Sequence, residues 1–154
     1  MSFVTRLRSE LICIRPPWRT FSETIGGLVG MLASAQEIPI AAQAAAVQAV
    51  TAREAEASTA LVDIRAAVPH ARLPGLAQPV VALGVSSQGL YEAVPTVAIQ
   101  IVALVLSPPA AGADHLNLLA GIATLLRSSE LRRALLAAGD PRAALAALRR
   151  HARV

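Results

Sequence analysis

Four apolar runs along the chain predict β-strands, at residues 11–14, 61–69, 79–85 and 96–106. The Pro16-Pro17 pair ends the first run and Pro69 ends the second, because proline fixes its own φ angle and donates no backbone N–H. The fourth run is apolar on both alternating faces apart from Gln100. A strand of this kind is covered on both faces, so we expect helices on each side of the sheet.

Apolar residues at helical spacing fill the segments between these runs. Thr20 and Glu23 have the spacing of a capping box, and apolar residues follow at positions 25, 28, 29 and 32. An alanine-rich stretch over residues 40–53 predicts a second helix. From Asp114 onward the chain predicts a mostly buried helix with Gly139 as a stop, and Asp140-Pro141 then opens a last helix.

The interleaved strands and helices predict an α/β fold. We expect a three-layer α/β/α sandwich in which helices flank a small mixed β-sheet. A chain of 154 residues fits one domain by size, which we place over residues 1–154 with a core at about 11–149.

The composition argues against nucleic-acid and membrane partners. All 14 basic residues are arginines, and the formal net charge is +4. They form no basic stripe interleaved with aromatic residues, so we expect no nucleic-acid partner. Mean hydropathy is +0.54, but the most apolar stretch, 97–106, is about half the roughly 20 residues of a membrane-spanning helix. We therefore expect no direct membrane insertion.

The single cysteine bears on the compartment. Cys13 lies in an apolar run, which predicts a small buried thiol. One cysteine excludes an intramolecular disulfide, which suits a reducing cytoplasm. The first residues carry arginines but no long apolar segment, so no signal peptide is predicted. These features predict a cytoplasmic protein.

A histidine directly after a proline is the first candidate for chemistry. His70 follows Pro69, and we expect its imidazole on the turn beyond a strand that ends there. Loops at strand ends carry many functional sites, and imidazole titrates near neutral pH. Taken alone, this position favours a surface histidine near a turn.

Other short motifs accompany His70 in a fixed order along the chain. Arg53-Glu54 and Ser58-Thr59 precede it, and Ser107-Pro108 and Asp114-His115-Leu116 follow it. In this order the motifs resemble the enzyme IIA domain of the bacterial phosphotransferase system, of the fructose, mannitol and nitrogen-regulatory type. The resemblance extends from about residue 11 to about residue 149 and implies the same three-layer fold.

The resemblance implies roles for three principal residues. His70 matches the histidine that accepts a phosphoryl group, and Arg53 matches an arginine of the phosphoryl site. His115 matches the family's second active-site histidine, which would hydrogen-bond the phosphoryl group or orient His70. From the residues alone, the favoured interpretation of Arg53 is a solvated helix-end residue paired with Glu54 or Glu56, and His115 is a histidine near a helix cap.

Three further residues are candidates for phosphoryl binding, namely Thr59, Arg72 and Arg65. Thr59 matches a hydroxyl position near the family's site. Arg72 adds positive charge two residues after His70. Arg65 is a departure, because the family usually has glycine five residues before the phosphorylated histidine. A bulky cation there would add to phosphate binding, reshape the strand or change the partner.

The resemblance implies a phosphocarrier. It would take a phosphoryl group from an HPr-type phosphocarrier protein, or its nitrogen-branch counterpart, onto His70. It would then pass the group to an enzyme IIB or act as a regulator of a transporter or kinase, without a cofactor. A regulatory binding module that works without phosphorylation is the alternative. A zinc site on His70 and His115 is a third reading, but no third ligand is evident.

Overall fold

The computed structural model describes residues 2–152 of the chain. Six α-helices are present in this range: α1 (Phe3–Arg6), α2 (Phe21–Ser34), α3 (Gln43–Glu56), α4 (Ala113–Leu126), α5 (Ser129–Ala137) and α6 (Pro141–Ala152). The strands are β1 (Ile12–Ile14), β2 (Ala60–Leu61), β3 (Ala66–Ala67), β4 (His70–Arg72), β5 (Val80–Val85), β6 (Tyr91–Val94), β7 (Val97–Ile99) and β8 (Ile101–Ser107).

A mixed sheet with β8 at its centre organises the fold. β5 pairs antiparallel with one edge of β8, and β1 pairs parallel with β5. β3 and β4 both pair parallel with the other edge of β8, and β2 pairs antiparallel with β3. β6 and β7 form a separate two-stranded hairpin. Every residue of β8 is buried, as expected for a strand covered on both faces.

Two groups of helices cover the sheet. α2 and α3 pack on each other and against β5 and β4. α1, α4 and α6 pack against β5, β8 and β1, and α5 joins α4 to α6. The buried apolar residues of both layers form one connected core. This arrangement confirms the predicted sandwich of helices around a small mixed sheet.

The predicted strand over residues 96–106 is wrong in one respect, because it is two strands. Gln100 separates β7 in the hairpin from β8 in the main sheet. Its backbone N–H donates to Arg65 O at 2.8 Å, its side-chain amide donates to Ser87 O at 3.0 Å, and its carbonyl accepts from Ser86 N at 2.9 Å. The polar residue in the apolar run therefore marks the point where the chain changes sheets.

The C-terminal helical segment also differs from the prediction. α4 ends at Leu126, and Ser128 caps α5 by accepting a hydrogen bond from Leu131 N at 3.1 Å. α4 is not mostly buried, since only one of its faces meets the sheet and Leu116 is 64% exposed. Cys13 is half-buried rather than buried.

His70 does not lie on a turn, as the sequence suggested, but opens strand β4. β3 and β4 lie end to end along β8, with Val68 and Pro69 between them. The Pro69 carbonyl still accepts a hydrogen bond from Val105 N at 3.1 Å. Among residues 2–152, β4 pairs with β8 alone, and an edge position tolerates the lack of a backbone N–H in proline. Pro69 therefore interrupts the strand without ending it.

Arg65 occupies a backbone position that favours glycine. Its φ is 53° and its ψ 40°, in the left-handed region where a side chain crowds the backbone. Its carbonyl accepts hydrogen bonds from Gln100 N at 2.8 Å and Ile101 N at 3.3 Å, which fixes the turn before β3. The left-handed backbone at this position therefore explains why the family usually has glycine there.

We expect the Arg65→Gly substitution to stabilise the fold by up to about 1 kcal/mol, because glycine adopts the left-handed backbone conformation without strain. The higher conformational entropy of glycine in the unfolded chain limits this gain. Denaturant unfolding measures this change. Arg149→Gly is the matched control. It places glycine in an exposed turn of α6 and should cost about 1 kcal/mol. A loss of stability in both variants would contradict the argument.

Candidate functional site

An open cleft brings together four of the six candidate residues. Its volume is about 570 Å³, and α3, β4 and the start of α4 form its walls. Arg53, His70, Arg72 and His115 line it. The other lining residues are Ala49, Ala52, Glu56, Ala71, Leu116 and Leu119. Two imidazoles and two guanidinium groups therefore meet at one carboxylate-poor, partly apolar surface.

The His70 imidazole is held by its own strand. Nδ1 lies 2.8 Å from the carbonyl oxygen of Val68. A carbonyl can only accept, so Nδ1 carries the proton and the neutral ring keeps its lone pair on Nε2. Burial lowers the pKa of His70 below its usual 6.5. The Val68 carbonyl and the Glu54 carboxylate oppose this shift, whereas the charges of Arg53 and Arg72 add to it.

His115 lies beside His70 in the first turn of α4. The two ring centroids are 5.3 Å apart, with the ring planes at 61°. His115 is only 4% exposed, and its Nδ1 lies 2.6 Å from the hydroxyl oxygen of Ser107 at the end of β8. Burial lowers the pKa of His115 to about 4, with further contributions from Arg72, His70 and Arg53. The ring is therefore neutral at pH 7.

Arg53 is not held in an ion pair. Its Nη1 donates to Ala57 O at 3.1 Å, just beyond the end of α3, and within residues 2–152 it makes no salt bridge. The Glu54 carboxylate instead accepts from Thr59 N and Thr59 Oγ1, both at 2.8 Å. The anticipated pairing of Arg53 with Glu54 or Glu56 is absent from this range, so the Arg53 charge is available to an anion.

The Arg72 side chain reaches the backbone just beyond the end of β8. Its side chain is exposed, and Nη1 donates to Pro108 O at 3.2 Å. This bond anchors the side chain beside the start of α4 without neutralising its charge. Both cleft arginines thus keep their positive charges while neutral carbonyl groups position them.

Two candidates lie outside the lining of the cleft. The Thr59 hydroxyl donates to Glu54 Oε1, where it fastens the chain after α3. Arg65 lies in the left-handed turn before β3. Ser107, by contrast, contacts His115 although the sequence analysis gave it no role. Its sequence signals are its place in the Ser107-Pro108 motif and its position as a polar residue at the end of a long apolar strand.

The described residues offer neither a metal-binding cluster nor a membrane-spanning helix. Between residues 2 and 152, no group of three or more His, Cys, Asp or Glu residues is placed to hold a metal ion. No helix in that part of the chain has the length and apolar character needed to cross a membrane.

A mixed sheet between helix layers, with two adjacent histidines and two arginines gathered between α3, β4 and the start of α4, is the arrangement typical of enzyme IIA domains. The chain belongs to the family described as phosphoenolpyruvate-dependent sugar phosphotransferase system, EIIA 2, whose model matches residues 6–151. The family predicted from the short motifs is therefore confirmed.

Individual relatives agree with this assignment. A fructose-specific EIIA component of the phosphotransferase system from Haloferax volcanii is 30% identical over 130 residues, covering 84% of this chain and 82% of that protein. The nitrogen regulatory protein IIA-Ntr of Neisseria meningitidis has a TM-score of 0.78 at 20% identity, covering 94% and 97% of the two chains.

A third relative is known in a complex. Enzyme IIAMTL of Escherichia coli, solved with phosphorylated enzyme IIBMTL, has a TM-score of 0.72 at 18% identity, covering 93% of this chain and 96% of that one. At these identities the two solved structures support the fold of this chain, and the expected fold class is confirmed.

The depressed histidine pKa values make stability depend on pH. As the pH falls through 6.5, histidines of the unfolded chain bind protons, whereas folded His115 stays neutral to about 4. The unfolded state then holds more protons, so the free energy of unfolding falls between pH 6.5 and about 4. Denaturant unfolding at several pH values measures this loss. We expect the loss to be smaller in His115→Gln, and an equal loss in both proteins would contradict the assignment.

Proposed function

We propose that this protein is a phosphocarrier that takes a phosphoryl group onto Nε2 of His70. The hydrogen bond between His70 Nδ1 and Val68 O carries this proposal. It fixes the proton on Nδ1, so the lone pair of Nε2 is available for attack on phosphorus. Nε2 has no hydrogen-bond partner among residues 2–152.

The proposed transfer needs no net movement of a proton. Nε2 of His70 supplies the electron pair of the new P–N bond. The P–N bond of the donor's phosphohistidine breaks, and its electron pair remains on the donor nitrogen. The His70 ring gains positive charge. Its Nδ1–H remains hydrogen-bonded to the Val68 carbonyl oxygen, and this bond stabilises the charge.

The surrounding charges suit the phosphoryl oxygens. Phosphoryl transfer requires alignment of the reacting atoms and stabilisation of negative charge on the equatorial oxygens. Arg53 and Arg72 supply positive charge in the cleft, and a guanidinium can bind two oxygens at once. Glu56 is the single carboxylate among the described lining residues, so positive charge prevails there.

The rim of the cleft suits a protein donor. Ala49 and Ala52 of α3 and Leu116 and Leu119 of α4 line it beside the histidines. Leu116 is 64% exposed, so it presents apolar surface to a partner at the edge of the cleft. We assign this rim to an HPr-type phosphocarrier protein as donor and to an enzyme IIB as one acceptor. Alternatively, the protein acts as a regulator that binds a transporter or kinase, and we place it in the cytoplasm.

The direct test is phosphoryl labelling by enzyme I, HPr and phosphoenolpyruvate. Wild-type protein should gain one acid-labile phosphoryl group, and His70→Ala should gain none. Arg53→Ala should slow labelling by about 100-fold, because one charge-assisted contact to the transferring group is lost. Rates come from intact-mass measurements over time.

Matched variants separate the site from general damage. Arg133→Ala removes an exposed arginine of α5 outside the cleft and should label at the wild-type rate. Arg65→Gly should also label normally, since Arg65 does not line the cleft. Full labelling of His70→Ala would overturn the proposal. No labelling of wild-type protein by verified donors would favour the regulatory module that works without phosphorylation.

The donor-binding role of the rim is tested separately. Leu116→Ala removes apolar contact area from the proposed interface without adding charge to the cleft, and should raise KM for phosphorylated HPr by about tenfold with little change in kcat. Ile40→Ala is the control, since Ile40 is 76% exposed but lies outside the cleft. Equal effects of the two substitutions would argue against docking on this rim.

A further inference from the structure

Ser107 forms a side-chain contact with His115, one of the residues that line the cleft. It is the last residue of β8 and is completely buried. Its backbone carbonyl accepts from Leu73 N at 2.8 Å, and its Cα pairs with that of Arg72 across the sheet. Its hydroxyl lies 2.6 Å from His115 Nδ1. The sheet therefore fixes the position from which this hydroxyl meets the ring.

The direction of this hydrogen bond follows from the burial of the Ser107 hydroxyl. The hydroxyl has no other hydrogen-bond partner among residues 2–152, so its proton would be buried and unsatisfied unless it pointed at Nδ1. Ser107 therefore donates, and Nδ1 of His115 accepts.

We propose that Ser107 is a positioning residue that holds His115 as the tautomer protonated on Nε2. A neutral imidazole whose Nδ1 accepts must carry its proton on Nε2. His70 is held in the opposite tautomer, because its Nδ1 faces the carbonyl of Val68. Nε2 of His70 is therefore unprotonated, whereas Nε2 of the neighbouring His115 carries a proton that it can donate.

The consequence for chemistry rests on the proposed function. The phosphoryl group carries only acceptor oxygens, so it needs N–H donors around it. His115 held by Ser107 donates through Nε2 while remaining uncharged. If Nδ1 carried the proton instead, Nε2 would direct a lone pair toward the phosphoryl oxygens and repel them. The Ser107 hydroxyl therefore acts on the transfer through His115, without contacting the reacting atoms.

The tautomer can be read without any phosphoryl transfer. Ring ¹⁵N chemical shifts of the unphosphorylated wild-type protein at neutral pH report which nitrogen of each histidine is protonated. We expect His115 to be protonated on Nε2 and His70 on Nδ1. Protonation of His115 on Nδ1 would overturn the Ser107 proposal, even if His70 labels normally. Failure of labelling with the expected shifts would instead count against the proposed function alone.

Two substitutions test the role of the hydroxyl. Ser107→Ala removes the donor, so the pKa of His115 should rise and phosphoryl transfer should slow by about tenfold with KM unchanged. Ser107→Thr keeps the hydroxyl and should restore the wild-type shifts and most of the rate. Ser86→Ala is the control, because Ser86 is also buried but contacts Gln88 N rather than a histidine.

The outcomes are distinct. A rise in the His115 pKa and a slower rate in Ser107→Ala, rescued by threonine and absent from Ser86→Ala, support the positioning role. Unchanged His115 shifts, pKa and transfer rate in a folded Ser107→Ala protein would refute it. If both Ser107 variants fail to fold, the wild-type ¹⁵N shifts still decide whether the hydroxyl donates.

Discussion

The hydrogen bond between His70 Nδ1 and the Val68 carbonyl is the constraint on which the site depends. It spans only two residues, because Pro69 lies between donor and acceptor with its φ angle fixed. Pairing with β8 on both sides of this step holds β3 and β4 in line. Since the backbone sets the direction of the imidazole, the nucleophilic nitrogen is determined before any partner binds. The interrupted strand thus fixes the position of one reactive atom, Nε2 of His70.

The position of His115 is fixed by the C-terminal end of the same central strand, β8. β8 delivers Ser107 to His115, and the start of α4 carries His115 beside His70. Burial keeps both rings uncharged near neutral pH, so positive charge in the cleft comes from Arg53 and Arg72. A neutral nucleophile beside permanent cations is well suited to an incoming phosphoryl group, because only the anion gains charge stabilisation there. This division of roles underlies the proposed phosphocarrier.

Much of the architecture could be read from apolar periodicity and proline. The helix predicted over residues 40–53 appears as a short 3₁₀ turn at Ile40–Ala42 followed by α3, because alanine-rich sequence leaves few alternatives. The turn expected at His70 was wrong, since the sequence does not reveal that β4 lies at an unpaired edge where proline is tolerated. Ser107 was missed because its partner lies eight residues away and meets it only through tertiary packing. Arg65 was recognised as a departure from glycine, but its left-handed backbone was visible only in the structure.

The central claim is that His70 carries the phosphoryl group on Nε2 while Nδ1 keeps its proton. The most direct measurement is the ¹⁵N and ³¹P NMR spectrum of the phosphorylated, ¹⁵N-histidine-labelled protein. We predict phosphorus bonded to Nε2 of His70 and a proton retained on Nδ1 beside the Val68 carbonyl. Phosphorus bonded to Nδ1 of His70, or to His115, would contradict the account.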